Sequence, residues 1–236
     1  MLNTQSIRSS TDTQTPLSTI VKLGGSLLDL PGLADRVSAA IEDVCYPILV
    51  TGGGAAAERV RAWHRAGWLN DVEAHWHAIA AMSHNASTLV ESSDGLTLVE
   101  SLEQAVLTLQ HDGMPVLDVF AVLKKVEYDE CEQSHLPSSW DVTSDSIAAW
   151  LSGRLNGAVR LLKSVDVGPT PTQHLDRYFP QAAVHLDQIE WFNLRADESV
   201  VEIVERCAWL PTAATSGPDV YRAKADDART VKAASG

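Results

Sequence analysis

The chain reads as an α/β protein with a mainly parallel sheet, and two successive strand–glycine–helix units carry that reading. Ile20-Val21-Lys22-Leu23 has the branched, apolar character of a buried strand and stops at Gly24-Gly25. After Pro31, apolar residues recur at helical spacing: Leu33, Val37, Ala40, Ile41 and Val44. Pro47-Ile48-Leu49-Val50 forms a second short strand, ended by Thr51-Gly52-Gly53-Gly54 and followed by the helix-forming run 55–66 with Arg59, Arg61 and Arg65. Strand, tight turn and helix, repeated, is the pattern of parallel βαβ packing. It places both glycine turns on one edge of the sheet, the edge where open α/β folds bind ligands.

Each later segment adds an element to this frame. Residues 71–90 read as a long helix carrying His75, His77 and His84, with His77 and His84 on one face and His75 pointing elsewhere. No carboxylate or thiol completes a metal-ligand set around them. Residues 97–110 read as a further helix, 115–123 as a strand, and 124–134 as a polar connection. The run 136–146 is dense in turn and capping residues, with Asp141 one helical turn before Asp145, and leads into an apolar helix over 147–155. Among Ser144, Asp145 and Ser146, at least one is expected to serve as the cap. Residues 158–162 form a strand ending at Lys163, residues 170–179 a loop, and 182–189, 191–195 and 199–209 the last ordered pieces. The polar leader 1–18 and the tail 211–236 read as disordered.

Composition narrows the function classes. The chain of 236 residues is 45% apolar, enough for a sizeable core. Its 18 basic and 31 acidic residues give a net charge of −13, which disfavours nucleic acid and anionic membrane as partners. Three scattered cysteines, Cys45, Cys131 and Cys207, fit a reducing compartment rather than a disulfide framework. There is no apolar run of membrane-spanning length and no signal-peptide pattern, so a cytoplasmic location is expected.

Lys22 is the chemically informative residue of the first strand. A lysine inside a buried strand needs an opposite charge, and bare backbone N–H groups in the adjoining Gly24-Gly25 turn suit an anion. Lys163 repeats the arrangement at the end of a later strand, before the loop Ser164-Val165-Asp166-Val167-Gly168-Pro169.

Three blocks in order, Lys22-Leu23-Gly24-Gly25-Ser26, Thr51-Gly52-Gly53-Gly54, and Thr143-Ser144-Asp145-Ser146-Ile147-Ala148 followed by Leu161-Leu162-Lys163, resemble the amino acid kinase superfamily. The likeness covers most of residues 19–168. The run 139–148, with Val60-Arg61 and Asn193-Leu194-Arg195, is similar to its small single-domain branch, whose best-known member phosphorylates an aminomethylfuran phosphate in methanofuran biosynthesis.

The resemblance implies a three-layer αβα sandwich over 19–210, with an acceptor lobe over 19–135 and a nucleotide lobe over 136–210. It further implies a kinase that passes the γ-phosphoryl group of ATP directly to a small phosphate- or carboxylate-bearing acceptor, in methanofuran- and tetrahydromethanopterin-linked one-carbon metabolism. Catalysis would rest on Lys22, Lys163 and the orienting carboxylate Asp145. Gly24, Gly25, Ser26, Ser164 and Asp166 would hold the nucleotide. Gly52, Gly53, Gly54, Arg61, His77, Trp140 and Thr143 would face the acceptor. Mg²⁺ would arrive with ATP, held by phosphate oxygens and water, and the chain would form a homo-oligomer. Lys22→Ala and Asp145→Asn should each lower turnover with the fold retained. The family's usual Val-Asp-Gly after the second-lobe strand is here Val165-Asp166-Val167-Gly168, which alters the loop beside the nucleotide. A non-catalytic nucleotide- or oxyanion-binding protein on the same fold is the alternative.

Overall fold

A computed structural model describes residues 18–129, 135–196 and 200–209. The expected leader and tail lie outside the described residues, Ser18 excepted. Strands β1 (Thr19–Leu23), β2 (Pro47–Thr51), β3 (Leu96–Val99), β4 (Met114–Leu117), β5 (Ala158–Lys163), β6 (Gln188–Asn193) and β7 (Glu202–Glu205) form one sheet in the order β3-β4-β2-β1-β5-β6-β7. All neighbours pair in parallel except β6 and β7, which are antiparallel. The α/β class with a mainly parallel sheet is therefore present as the sequence implies.

Helices cover both faces. They are α1 (Leu33–Ala40), α2 (Gly54–Arg65), α3 (Asp71–Glu91), α4 (Leu102–Gln110), α5 (Val119–Asp129), α6 (Ser144–Arg154) and the short α7 (Phe179–Ala182). Alternation along the central strands sorts the core into two layers. Ile20, Ile48 and Val50 pack with Ile79 of α3, Val122 of α5 and Ile147 and Leu151 of α6. Val159 and Leu161, in register on the same face, continue that layer to Phe179 and Trp191. Val21, Leu23, Leu49 and Leu162 point the other way, onto Val37 and Ala40 of α1 and Ala86 and Leu89 near the end of α3.

Two stretches differ from the sequence reading. Residues 96–99 form strand β3 rather than the start of a helix, because Leu96–Val99 adds to the edge beside β4. The run from Val119 is helix α5, not the continuation of a strand. The chain turns at Asp118, whose carboxylate accepts from the Ala121 amide at 3.0 Å and from Ser83 Oγ at 2.5 Å, capping the new helix. Residues 130–134 of the expected polar connection lie outside the described residues.

Buried Arg160 fastens the central strands to what surrounds them. Its guanidinium donates to Glu190 at 2.6 Å, to both oxygens of Asp43 at 2.6 and 3.0 Å, and to the Ala40 carbonyl at 2.6 Å. Burial works against the cation, but these acceptors outweigh it and raise its pKa.

Candidate active site

Lys22 and Lys163 stand on the same sheet face at the C-terminal ends of neighbouring strands. Lys22 of β1 lies opposite Leu161 of β5, so Lys163 is one pleat farther along on the same side. Helix α6 covers that face and brings Asp145, in its first turn, between the two ammonium groups. Asp145 Oδ1 is 3.0 Å from Lys22 Nζ, and Oδ2 accepts from Lys163 Nζ at 2.6 Å. The first contact is an ion pair without hydrogen-bond alignment, since Oδ1 has no hydrogen-bond partner among the described residues. Lys22, Asp145 and Lys163 are only 5%, 5% and 8% exposed, so the three charges interact with little solvent between them.

Burial and the neighbouring charges together set the titration of the cluster. Burial opposes ionisation of Asp145, yet Lys163 and Lys22 together hold its carboxyl at about 2. Burial also opposes the ammonium of Lys163. There one carboxylate competes with the repulsion of Lys22, and the pKa falls to about 8. The partners differ because two cations outweigh burial at Asp145, whereas at Lys163 burial, helped by Lys22, outweighs its carboxylate neighbours.

The glycine turns beside the cluster interlock. A Cβ on Gly25 would lie 2.3 Å from the Gly54 nitrogen, and one on Gly52 would lie 2.5 Å from the Gly25 nitrogen. Gly54 also requires φ = +53°. The glycines thus let the turns after β1 and β2 touch backbone to backbone. Gly24 departs from its expected role. Its amide donates to the Leu162 carbonyl at 2.9 Å, extending the β1–β5 pairing instead of facing a ligand. Gly52 is committed likewise, its amide to Leu23 O at 2.8 Å and its carbonyl to Asn85 Nδ2 at 2.8 Å.

Gly25, Ser26, Gly53 and Gly54 instead border a cavity of about 370 Å³, closed by Arg61, His75, Ile79, Met82, Trp140, Thr143 and Ser144. Trp140 forms one wall, with its Nε1 donating to His64 Nδ1 at 3.0 Å and the Arg61 guanidinium 4.8 Å above its ring. Arg61 also donates to Glu58 at 2.5 Å. Arg61, Trp140, Thr143, Gly53 and Gly54 therefore border one cavity. His77 does not join them: it is exposed on α3, and buried His75, two residues earlier, lines the cavity in its place. The helical phase of α3 decides this, because Ile79 and Met82 share the inward side with His75.

Across the cluster, Ser26 Oγ and Ser164 Oγ are 3.0 Å apart, joining the loops after β1 and β5. The altered loop is pinned from β6. Trp191 Nε1 donates to Val165 O at 2.8 Å, and Asn193 Nδ2 donates to Asp166 at 2.8 Å. Val167 is partly buried against the core and Gly168 turns with φ = +62°. Arg195, two residues after β6, reaches back to Ser26 O at 2.6 Å and to the Asp29 carboxylate.

None of Ser144, Asp145 and Ser146 caps α6 with its own side chain, nor does the N-cap residue Thr143. Asp176, which sequence reasoning passed over, does so from the distant loop, accepting from the amides of Thr143 and Ser146 at 3.0 Å each. Thr143 Oγ1 donates to it at 2.8 Å, and Ser146 Oγ donates to its other oxygen. Asp141 lies before the helix and faces Arg177 at 3.8 Å.

No protein-family model matches the sequence, and no curated protein matches it. Among solved structures, the chain is similar to a uridylate kinase from Archaeoglobus fulgidus at 17% identity and a TM-score of 0.44. The match covers 64% of each chain, so it spans less than two thirds of that enzyme's length. Among the described residues, no helix is long and apolar enough to cross a membrane.

Proposed function

We propose that the protein is a small-molecule kinase that transfers the γ-phosphoryl group of ATP to a small acceptor bearing a phosphate or carboxylate. One observation carries this reading: two buried lysines share a single bridging carboxylate at a strand edge, beside a cavity that holds an arginine. Phosphoryl transfer spreads negative charge over the moving oxygens, and fixed cations in a low-dielectric site stabilise that charge without reorganising. Asp145 orients both lysines, so that their ammonium groups are already in place to meet the moving group.

In this reading Lys22 guides the transferring group and Lys163 neutralises charge from the β5 side. The Gly25 turn and Ser26, with Ser164 and Asp166 opposite, hold the phosphates of ATP. Arg61 takes the acceptor's anionic group while Trp140 and His75 border its body. Among the described residues, no group of three or more His, Cys, Asp or Glu side chains could hold a metal ion. In this reading magnesium would arrive with ATP, bound chiefly by phosphate oxygens and water, and supply charge neutralisation there. An acceptor from methanofuran-linked one-carbon metabolism and a homo-oligomer belong to the same proposal and rest on the sequence resemblance alone; a cytoplasmic location rests on composition.

Phosphorus NMR of the protein with Mg·ATP and a panel of phosphorylated and carboxylated acceptors tests the activity. The expected result is an acceptor-dependent loss of the γ-phosphate signal with a new phosphoester or acyl-phosphate resonance. ATP binding with no such loss across the panel would point instead to a non-catalytic nucleotide-binding protein.

A further inference from the structure

We propose that Asp176 is a positioning residue for the Asp145–Lys163 pair, holding helix α6 and Lys163 in the geometry that transfer requires. The inference rests on the kinase reading and adds to it a residue from a segment with no role there. Asp176 follows the 3₁₀ turn Pro171–His174, beyond the loop after β5. Both its oxygens are engaged: one accepts from Thr143 N, Thr143 Oγ1 and Ser146 N, and the other from Ser146 Oγ. These donors bracket Asp145 within the first turn of α6. A carboxylate with this set of partners fixes the rotation of that turn, and hence the direction in which Asp145 points.

The same short segment also holds the other member of the pair. The His174 carbonyl accepts from Lys163 Nζ at 2.8 Å, beside the bond to Asp145. One stretch of chain, 174–176, therefore grips the lysine directly and the aspartate through the helix it begins. A helix cap alone would not need to come from this segment, since Ser and Thr side chains at the start of α6 could supply one.

Electrostatics adds an observable. Lys163 is faced by Asp145 from α6, Lys22 from β1, Asp176 and His174 from the connecting segment, and the Trp191 ring of β6 at 5.1 Å. The Asp176 charge favours the ammonium, against burial and Lys22. Removing that charge should let Lys163 lose its proton at lower pH.

The test is Asp176→Asn in the full chain, with the Lys163 titration followed by NMR of ¹³Cε-labelled lysine beside steady-state kinetics. The expected result is a Lys163 midpoint below its value of about 8. The kcat should fall roughly tenfold to a hundredfold, as for a displaced catalytic group, with KM little changed. Asp176→Glu should recover part of both. If Asp176→Asn does not fold, Ser146→Ala removes one bond to the same carboxylate and should lower kcat several-fold. A folded Asp176→Asn protein with native Lys163 titration and native kcat overturns the proposal, even if its thermal midpoint has dropped. So does native kcat in Ser146→Ala should the first variant not fold. Absence of phosphoryl transfer by the unsubstituted protein is a different failure, that of the kinase reading; the lysine titration still decides whether Asp176 keeps Lys163 protonated.

Discussion

Lys22 and Lys163, from adjacent parallel strands, share the two oxygens of one carboxylate, Asp145, at 3.0 and 2.6 Å. Removing Lys22 therefore does not orphan Asp145, which keeps its hydrogen bond to Lys163. Lys22→Met keeps most of the side-chain volume and relieves the repulsion that helps depress Lys163. The expected outcome is a thermal midpoint at or above that of the native chain, with turnover lower by about a hundredfold or more from the lost electrostatic contact. Turnover and unfolding measured on one preparation check both halves.

Asp145→Asn should behave differently, against the sequence-based expectation that the fold is retained in both cases. It would leave two buried ammonium groups without the anion that bridges them. Breaking a buried pair in this way costs about 3–5 kcal/mol. Urea unfolding should show a clear loss of stability beside the loss of turnover, and native stability would mean that water reaches the cluster.

The cluster also sets a pH dependence, with signs that differ at its two ends. The Asp145 carboxyl is held at about 2, below 3.8, so its contribution is complete above about pH 4 and is lost as pH falls towards 2. The gap corresponds to about 2 kcal/mol. Lys163 is lowered to about 8 from 10.5, so the unfolded chain binds its proton more tightly. Its burial is a cost below pH 8 that is relieved as pH rises towards 10.5. Turnover should run the other way, falling above about pH 8 as the ammonium is lost. A pH–rate profile set beside unfolding midpoints on the alkaline side shows whether stability and activity diverge there.

The central pattern was legible because it is local. β1, β2, their glycine turns and the lysines are written in short contiguous runs, and parallel pairing then brings the turns together. Three features were not. Leu96–Val99 is strand because an edge position beside β4 was open to it, a tertiary fact that helical-looking spacing cannot express. The choice of His75 over His77 depends on the phase of α3, fixed by which side packs on the sheet. Asp176 was missed for a related reason: its partners lie 30 and 33 residues earlier, joined only when the loop after β5 returns to α6. A lone aspartate in a polar loop carries no signal of that return.

Gly25→Ala tests whether the interlocked turns are structural as well as functional. The new methyl carbon would lie 2.3 Å from the Gly54 nitrogen and 2.7 Å from its Cα, backbone atoms that cannot rotate away. Relief requires the turn after β1 to move off the turn after β2, and overpacking of this kind costs about 1–3 kcal/mol. Because Gly25 and Gly54 also border the cavity, KM for ATP and for the acceptor should both rise. Native stability together with native KM values would show that the turns can part freely.

Arg61 sits in a competition that can be measured from both sides. Its guanidinium lies over Trp140 and donates to Glu58, and all three residues border the cavity. If Arg61 receives the acceptor's anionic group, Arg61→Ala removes a charge-assisted hydrogen bond worth about 1.5–3 kcal/mol. KM for the acceptor should then rise roughly tenfold to a hundredfold, with kcat at saturation nearly unchanged. Glu58→Gln should act in the opposite sense, since it removes the carboxylate that now holds Arg61. The pair is partly exposed, at 38% and 62% for the two side chains, so the gain should stay within about fivefold. Opposite movements of KM in the two variants assign Arg61 to the acceptor. A parallel rise in both would mean that Glu58 and Arg61 act as one structural pair shaping the cavity wall.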